Sequence, residues 1–151
     1  MKGLLLVACL LLTLRAGAQP VLQPGNLELV ESVPLETEES LDDPEIRSTQ
    51  EVWLEMIEDA KQSLDLEFFY LRYQPKSSLE PVVQAVERAK GRGVRVRVLV
   101  DAKFLVTYPE LCARWSELGM EVRKIKFESG VQHTKMMLVD GDHVFLGSQN
   151  F

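Results

Sequence analysis

Apolar residues recur along this chain with two periods, and each change of period marks an element. Val52, Trp53, Met56, Ile57 and Ala60 fall three or four apart, which predicts a helix. Ser48 followed by Glu51 is the pattern of a capping box, so ordered structure is expected to begin near Ser48. Leu64 to Leu71 reads as a buried strand, with Phe68, Phe69 and Tyr70 expected in the core. Ser77 with Glu80 signals a second helix start, and Pro81 is tolerated in a first turn. That helix is expected to run through Val82, Val83, Ala85, Val86 and Ala89 to Gly91 or Gly93. Val94 to Val100, where Arg95 and Arg97 alternate with valines, is the clearest strand. Pro109 opens a third helix ending at Gly119, and Glu121 to Phe127 is a further strand. Helices alternating with strands predict an α/β sandwich with largely parallel strands.

The chain of 151 residues is long enough for one such domain. Its first residues read as an export signal over 1–18. Met1-Lys2-Gly3 is a short basic start, Leu4 to Leu14 is too short to span a bilayer, and Ala16-Gly17-Ala18 offers a cleavage site before Gln19. Lipidation at Cys9 is the less favoured alternative. An exported protein, periplasmic or secreted, is therefore expected, and cleavage would leave Cys112 alone, packed on a helix. Residues 19–47 are rich in Pro, Glu and Asp and read as an acidic tether with one short strand near Leu27 to Val33. The domain proper is expected over 48–151. Charge follows the same division: residues 19–60 hold 12 acidic residues and one basic, whereas 61–151 hold 14 basic and 11 acidic. A mildly basic domain suits an anionic substrate without the dense basic stripe of a dedicated DNA binder.

The last nineteen residues differ in kind from the rest. Two apolar runs, His133 to Asp140 and His143 to Phe151, flank Gly141-Asp142, a strong hairpin signal. If Gly141-Asp142 is the loop, Lys135 would oppose Ser148 and His133 would oppose Asn150; if Asp140-Gly141 is the loop, the register moves by two, and under either turn all four share one face. A three-residue loop would break that argument. Asp140, of opposite parity, is expected to orient the hairpin or a neighbouring group. His143 borders the turn and is expected to face solvent. Arg95 and Arg97 are expected in sheet or helix contacts, and Phe104 to Tyr108 packed under the third helix, with a membrane-touching loop as second reading. A face of His, Lys, Ser and Asn suits a phosphodiester: Lys135 neutralises a non-bridging oxygen, Ser148 and Asn150 donate hydrogen bonds to it, and the imidazole attacks phosphorus.

His133-x-Lys135, four residues, Asp140, then Gly147-Ser148-x-Asn150, resembles the HKD motif of the phospholipase D superfamily, with every fixed position present at the family's spacing. The likeness covers roughly Thr49 to Phe151. It implies an α-β-α sandwich half-domain with a mixed, mostly parallel sheet and a catalytic hairpin at its C-terminal end. It implies His133, Lys135 and Asp140 as the catalytic set, Lys135, Ser148 and Asn150 as phosphate-binding residues, and Gly147 as a turn residue. It further implies a phosphohistidine intermediate, no cofactor and no metal. A second motif must complete the site, from a missing C-terminal lobe or from a homodimer partner; the fragment reading is favoured. The substrate expected first is a phospholipid head group, with a membrane surface as partner. A homodimeric secreted endonuclease acting on nucleic acid and a cardiolipin-synthase-like phosphatidyltransferase are the alternatives.

Overall fold

The computed structural model describes residues 27–34 and 41–151; the proposed leader, with Cys9, and the rest of the tether lie outside them. Helix α1 (Thr49–Asp59) opens where its sequence signal stands: the Ser48 hydroxyl accepts from the Glu51 amide at 3.2 Å. Its buried stripe is Val52, Trp53 and Ile57. Strand β3 (Ser63–Phe68) then places Leu64, Leu66 and Phe68 on the helical side. Helix α2 (Glu80–Gly91) begins three residues after Ser77, because Ser77 supplies its carbonyl rather than its hydroxyl, accepting from the Glu80 amide at 3.0 Å. Glu80 in turn accepts from the Lys76 amide at 2.7 Å.

Strand β4 (Arg95–Asp101) is followed by a one-turn helix α3 (Ala102–Leu105), then helix α4 (Glu110–Glu117) and strand β5 (Glu121–Ile125). Strands β6 (Lys135–Val139) and β7 (His143–Leu146) form the C-terminal hairpin. The five strands run in the order β5-β4-β3-β6-β7. β3, β4 and β5 pair in parallel, while β6 lies antiparallel to β3 and β7 antiparallel to β6, so the hairpin contributes the antiparallel half of a mixed sheet.

Side-chain alternation gives the sheet two unlike faces. Leu64, Leu66, Phe68, Val96, Val98, Val100, Met137 and Val139 point to the helices and form the core with Val82, Val83, Val86 and Trp115. The opposite face carries Asp65, Glu67, Arg97, Glu121 and Arg123, with Arg97 paired to Asp65 across β3 and β4. On that face Asp65, Glu67 and Leu99 are half-buried and Arg97 and Arg123 exposed. Arg92 joins α2 to α1, donating to the Ile57 and Glu58 carbonyls at 2.9 and 3.0 Å. Residues 27–34 are docked rather than free: the two-residue strand β1 (Val30–Glu31) pairs with β2 (Arg47–Ser48), and Thr49 Oγ1 donates to the Glu31 carbonyl at 3.0 Å.

Trp53 is the centre of the aromatic core. It stacks on Phe151 at 5.5 Å and meets Phe68 and Phe145 edge-on at 5.6 and 5.2 Å. Its indole nitrogen is buried without a hydrogen-bond partner among the described residues, so the ring contributes by packing alone. Trp53→Ala is expected to cost about 3–5 kcal/mol, read from the urea midpoint, and Trp53→Phe markedly less. Equal losses in the two variants would show that something other than ring packing holds this corner.

Candidate functional site

The candidate chemistry gathers at the carboxyl ends of the parallel strands β3 and β4, the end where open α/β sheets form their clefts. β4 ends at Asp101, only 2% exposed. One Asp101 carboxylate oxygen accepts from the Lys103 amide and caps α3; the other accepts from the Gln132 amide, both at 2.8 Å. Gln132, also buried, donates its side-chain amide to Glu67 at 2.8 Å. The segment carrying His133 is therefore anchored to β4 by its main chain and to β3 by a side chain immediately before the histidine.

His133 and Lys135 come together around one ring. The His133 and Phe69 centroids are 4.6 Å apart, and the Lys135 ammonium lies 5.2 Å from the Phe69 centroid. Lys135 is 4% exposed, and its Nζ donates to the His133 carbonyl at 2.9 Å. No carboxylate faces it among the described residues. Removal from water therefore pulls its pKa below the usual lysine value. Two of its three N–H donors are left for a ligand. The imidazole itself is exposed.

The hairpin register corrects the expected face. The loop holds three residues, Asp140, Gly141 and Asp142, with Val139 opposite His143, so extending the register sets Lys135 opposite Gly147 rather than Ser148. The Gly147 amide donates to the Lys135 carbonyl at 3.1 Å. Asp140 at φ 53° and Gly141 at φ 83° are both left-handed, which is how a third residue fits between these strands. Pairing ends at Leu146, and among the described residues no hydrogen bond joins Ser148 or Asn150 to His133 or Lys135. Ser148 is exposed. Asn150 Oδ1 is buried without a hydrogen-bond partner and borders an open cavity of about 540 Å³ shared with Tyr70 and Arg72. Gly147 is required by contact: a β-carbon there would lie 2.5 Å from Phe145 Cζ and 2.6 Å from Gln149 Oε1. His143 is solvent-facing and meets Asp142 at 2.6 Å.

Asp140 stands apart from His133 and Lys135, at the far end of β6. Its carboxylate accepts from the amides of Lys61, Gln62 and Ser63 at 2.9, 2.7 and 2.8 Å. These donors hold its pKa below the usual carboxylate value, with the Ser63 amide the largest cause.

Several expectations about aromatic residues change. Only Phe68 is core; Phe69 and Tyr70 are half-buried, because β3 ends at Phe68 and the chain leaves the sheet beside the site. Of the run Phe104 to Tyr108, Leu105 packs against the core, whereas Phe104 and Tyr108 meet other rings. Phe104 lies 4.0 Å from Phe69, and Tyr108 lies 5.2 Å from Tyr70, centroid to centroid. Asp101 and Gln132 were not singled out from sequence, though an Asp ending a valine-rich strand just before a helical turn is an N-cap signal. Cys112 is buried on α4, and burial pushes its thiol up to about 11, out of the reactive range. Among the described residues no three His, Cys, Asp or Glu side chains form a metal-binding group.

Residues 53–151 match the family described as cardiolipin synthase, PLD-like domain. The chain is 32% identical over 142 residues to phospholipase D Y of Dictyostelium discoideum, covering 85% of this chain and 31% of that protein. It is 33% identical over 150 residues to the human 5'-3' exonuclease PLD3, covering 87% of this chain and 29% of that protein. It therefore spans less than a third of the length of these curated relatives. Its fold is similar to that of the phospholipase D family member Nuc from Salmonella typhimurium, with a TM-score of 0.58 and 26% identity over 69% of this chain and 65% of that one.

The Asp140 clamp gives stability a definite pH dependence. A carboxylate whose folded pKa is depressed contributes fully above the ordinary range, about pH 4, and loses that contribution as pH falls through the lower folded value. Asp140→Asn keeps a residue that tolerates left-handed backbone but removes the charge. The variant is expected to melt lower than wild type at neutral pH, and the gap should close as pH drops below about 4. A gap that stays constant down to strongly acid pH would show that the carboxylate charge does not hold the clamp.

Proposed function

Because this chain belongs to the phospholipase D superfamily, we propose that it supplies one half of a phosphodiesterase site in which His133 is the nucleophile and Lys135 the phosphate clamp. Lys135 is the observation that carries the reading. A buried ammonium held by one carbonyl and one ring face is poorly compensated, and leaving a buried charge unpaired is costly. A phosphodiester anion supplies the missing partner. The benefit grows in the transition state, where negative charge builds on the non-bridging oxygens.

The uncharged imidazole of His133 would attack phosphorus, forming a P–N bond as the P–O bond to the leaving group breaks. The leaving oxygen takes a proton from a general acid. That acid would be the histidine of a second motif, either elsewhere in a longer polypeptide or on a second copy of this chain. Water, activated by the same group, then cleaves the phosphohistidine and regenerates the imidazole. Ser148 and Asn150 follow Gly147, itself hydrogen-bonded to the Lys135 carbonyl, and are the candidates to contact the remaining phosphate oxygens. Asp140 acts at a distance, as the residue that positions the hairpin. The relatives' names include both a phospholipase and an exonuclease, so they leave open whether the diester is a lipid head group or a nucleic acid strand.

In the full-length protein, His133→Ala is expected to lower hydrolysis of methyl p-nitrophenyl phosphate at least about a thousandfold. Acid-labile, base-stable phosphate should be trapped on the wild-type chain and not on this variant. Lys135→Gln is expected to lower kcat about 10²–10³-fold. Unchanged turnover by His133→Ala would reject the assignment.

A further inference from the structure

The four aromatic residues that leave the core form a continuous surface next to the candidate nucleophile. Phe69 touches His133; Phe104 and Tyr70 follow, at 4.0 and 5.5 Å from Phe69; Tyr108 lies 5.2 Å beyond Tyr70. All four are half-buried, so each leaves part of its surface to solvent. Arg72 closes the far end, its guanidinium 5.8 Å from the Tyr108 centroid. Arg47, Arg88, Arg92, Arg97, Arg114 and Arg123 each meet a carboxylate. Arg72 and Arg95 are exposed and, among the described residues, have none; Arg72 is the one that lies against these rings.

We propose that Phe69, Tyr70, Phe104 and Tyr108 form a shelf that stacks a base of a single-stranded nucleic acid, while Arg72 takes a phosphate of the same strand. This rests on the reading that a phosphodiester sits at His133 and Lys135, and it names the substrate class of that site. Rings beside a backbone-directed cation are the standard means of holding single strands, because every base offers a π-face.

Charge argues against the main competitor. Aromatic faces also bind quaternary ammonium head groups by cation–π attraction. Here two of the rings already carry the protein's own cations, Lys135 over Phe69 and Arg72 over Tyr108. A choline group would meet like charge at both; an anionic strand meets the opposite charge. The Tyr70 and Tyr108 hydroxyls, without hydrogen-bond partners among the described residues, suit a ligand with polar edges better than an acyl chain.

The test is binding of a labelled short oligothymidylate to the full-length protein carrying His133→Ala, compared with an abasic oligomer of equal length and charge. The oligothymidylate is expected to bind roughly tenfold tighter. Tyr108→Leu should remove most of that preference and Tyr108→Phe should keep it. Arg72→Gln, an exposed change that serves even if Tyr108→Leu fails to fold, should keep the base preference and reduce the log–log salt slope by about 0.7. Equal binding of the abasic oligomer, an Arg72→Gln salt slope equal to the parent's, or displacement of the oligomer by phosphatidylcholine vesicles would overturn the proposal. Hydrolysis of methyl p-nitrophenyl phosphate by the wild type reports separately. Activity there without base preference sinks the shelf and leaves the phosphodiesterase reading intact; no activity there sinks that reading, while the binding result still decides the shelf.

Discussion

One carboxylate sets where every residue of the hairpin falls. Asp140 takes three successive amides from the start of β3, and its own amide donates to the Ser63 carbonyl at 2.9 Å. This reciprocal grip fixes β6 on β3 with Leu64 opposite Val139, and the register then carries Phe68 opposite Lys135 at the other end. A slip of one residue would turn Met137 and Val139 out of the core and Lys135 to the opposite face. The position of the ammonium is thus settled a strand's length away, by hydrogen bonds that touch neither it nor a ligand.

What that register delivers is a cation in an environment that disfavours it. Lys135 sits among core residues on the helical face, yet its ammonium reaches the end of the sheet, where a carbonyl and the π-face of Phe69 are its neighbours. A carboxylate there would satisfy it and leave nothing for an anionic ligand. The core below makes this affordable: Trp53, Phe68, Phe145 and Phe151 interlock beneath the hairpin and hold the strands without help from the polar end.

Much of this was legible in the chain, and the limits have physical causes. Helix α1 could be placed because its cap and apolar stripe agree, and β4 because valines alternate with arginines. Two apolar runs on either side of Gly141-Asp142 marked the hairpin. Its loop length was not legible, since Gly141 fits a two-residue turn as well as a three-residue one; the choice depends on Asp140 accepting left-handed backbone in exchange for three amides 77–79 residues away in sequence. Phe69 and Tyr70 were misplaced because an apolar run does not show where a strand ends. The docking of Val30 and Glu31 could not be read from an acidic stretch of mixed composition, because their partners are distant in sequence: Arg47 at the far end of that stretch, and Ser48 and Thr49 just past it.

Asp101 has a wider consequence. One of its oxygens holds the turn that presents Phe104, and the other holds the residue before His133. Buried and bonded on both sides, it links shelf and imidazole as a rigid crossbar rather than as two independent parts. A ligand that shifts α3 by a fraction of an ångström must either stretch a hydrogen bond or carry His133 with it. On the proposed reading of His133 as nucleophile, affinity for the outlying part of a substrate and alignment of the imidazole then cease to be separate variables. On that same reading, natural variation in α3 would alter turnover as well as taste.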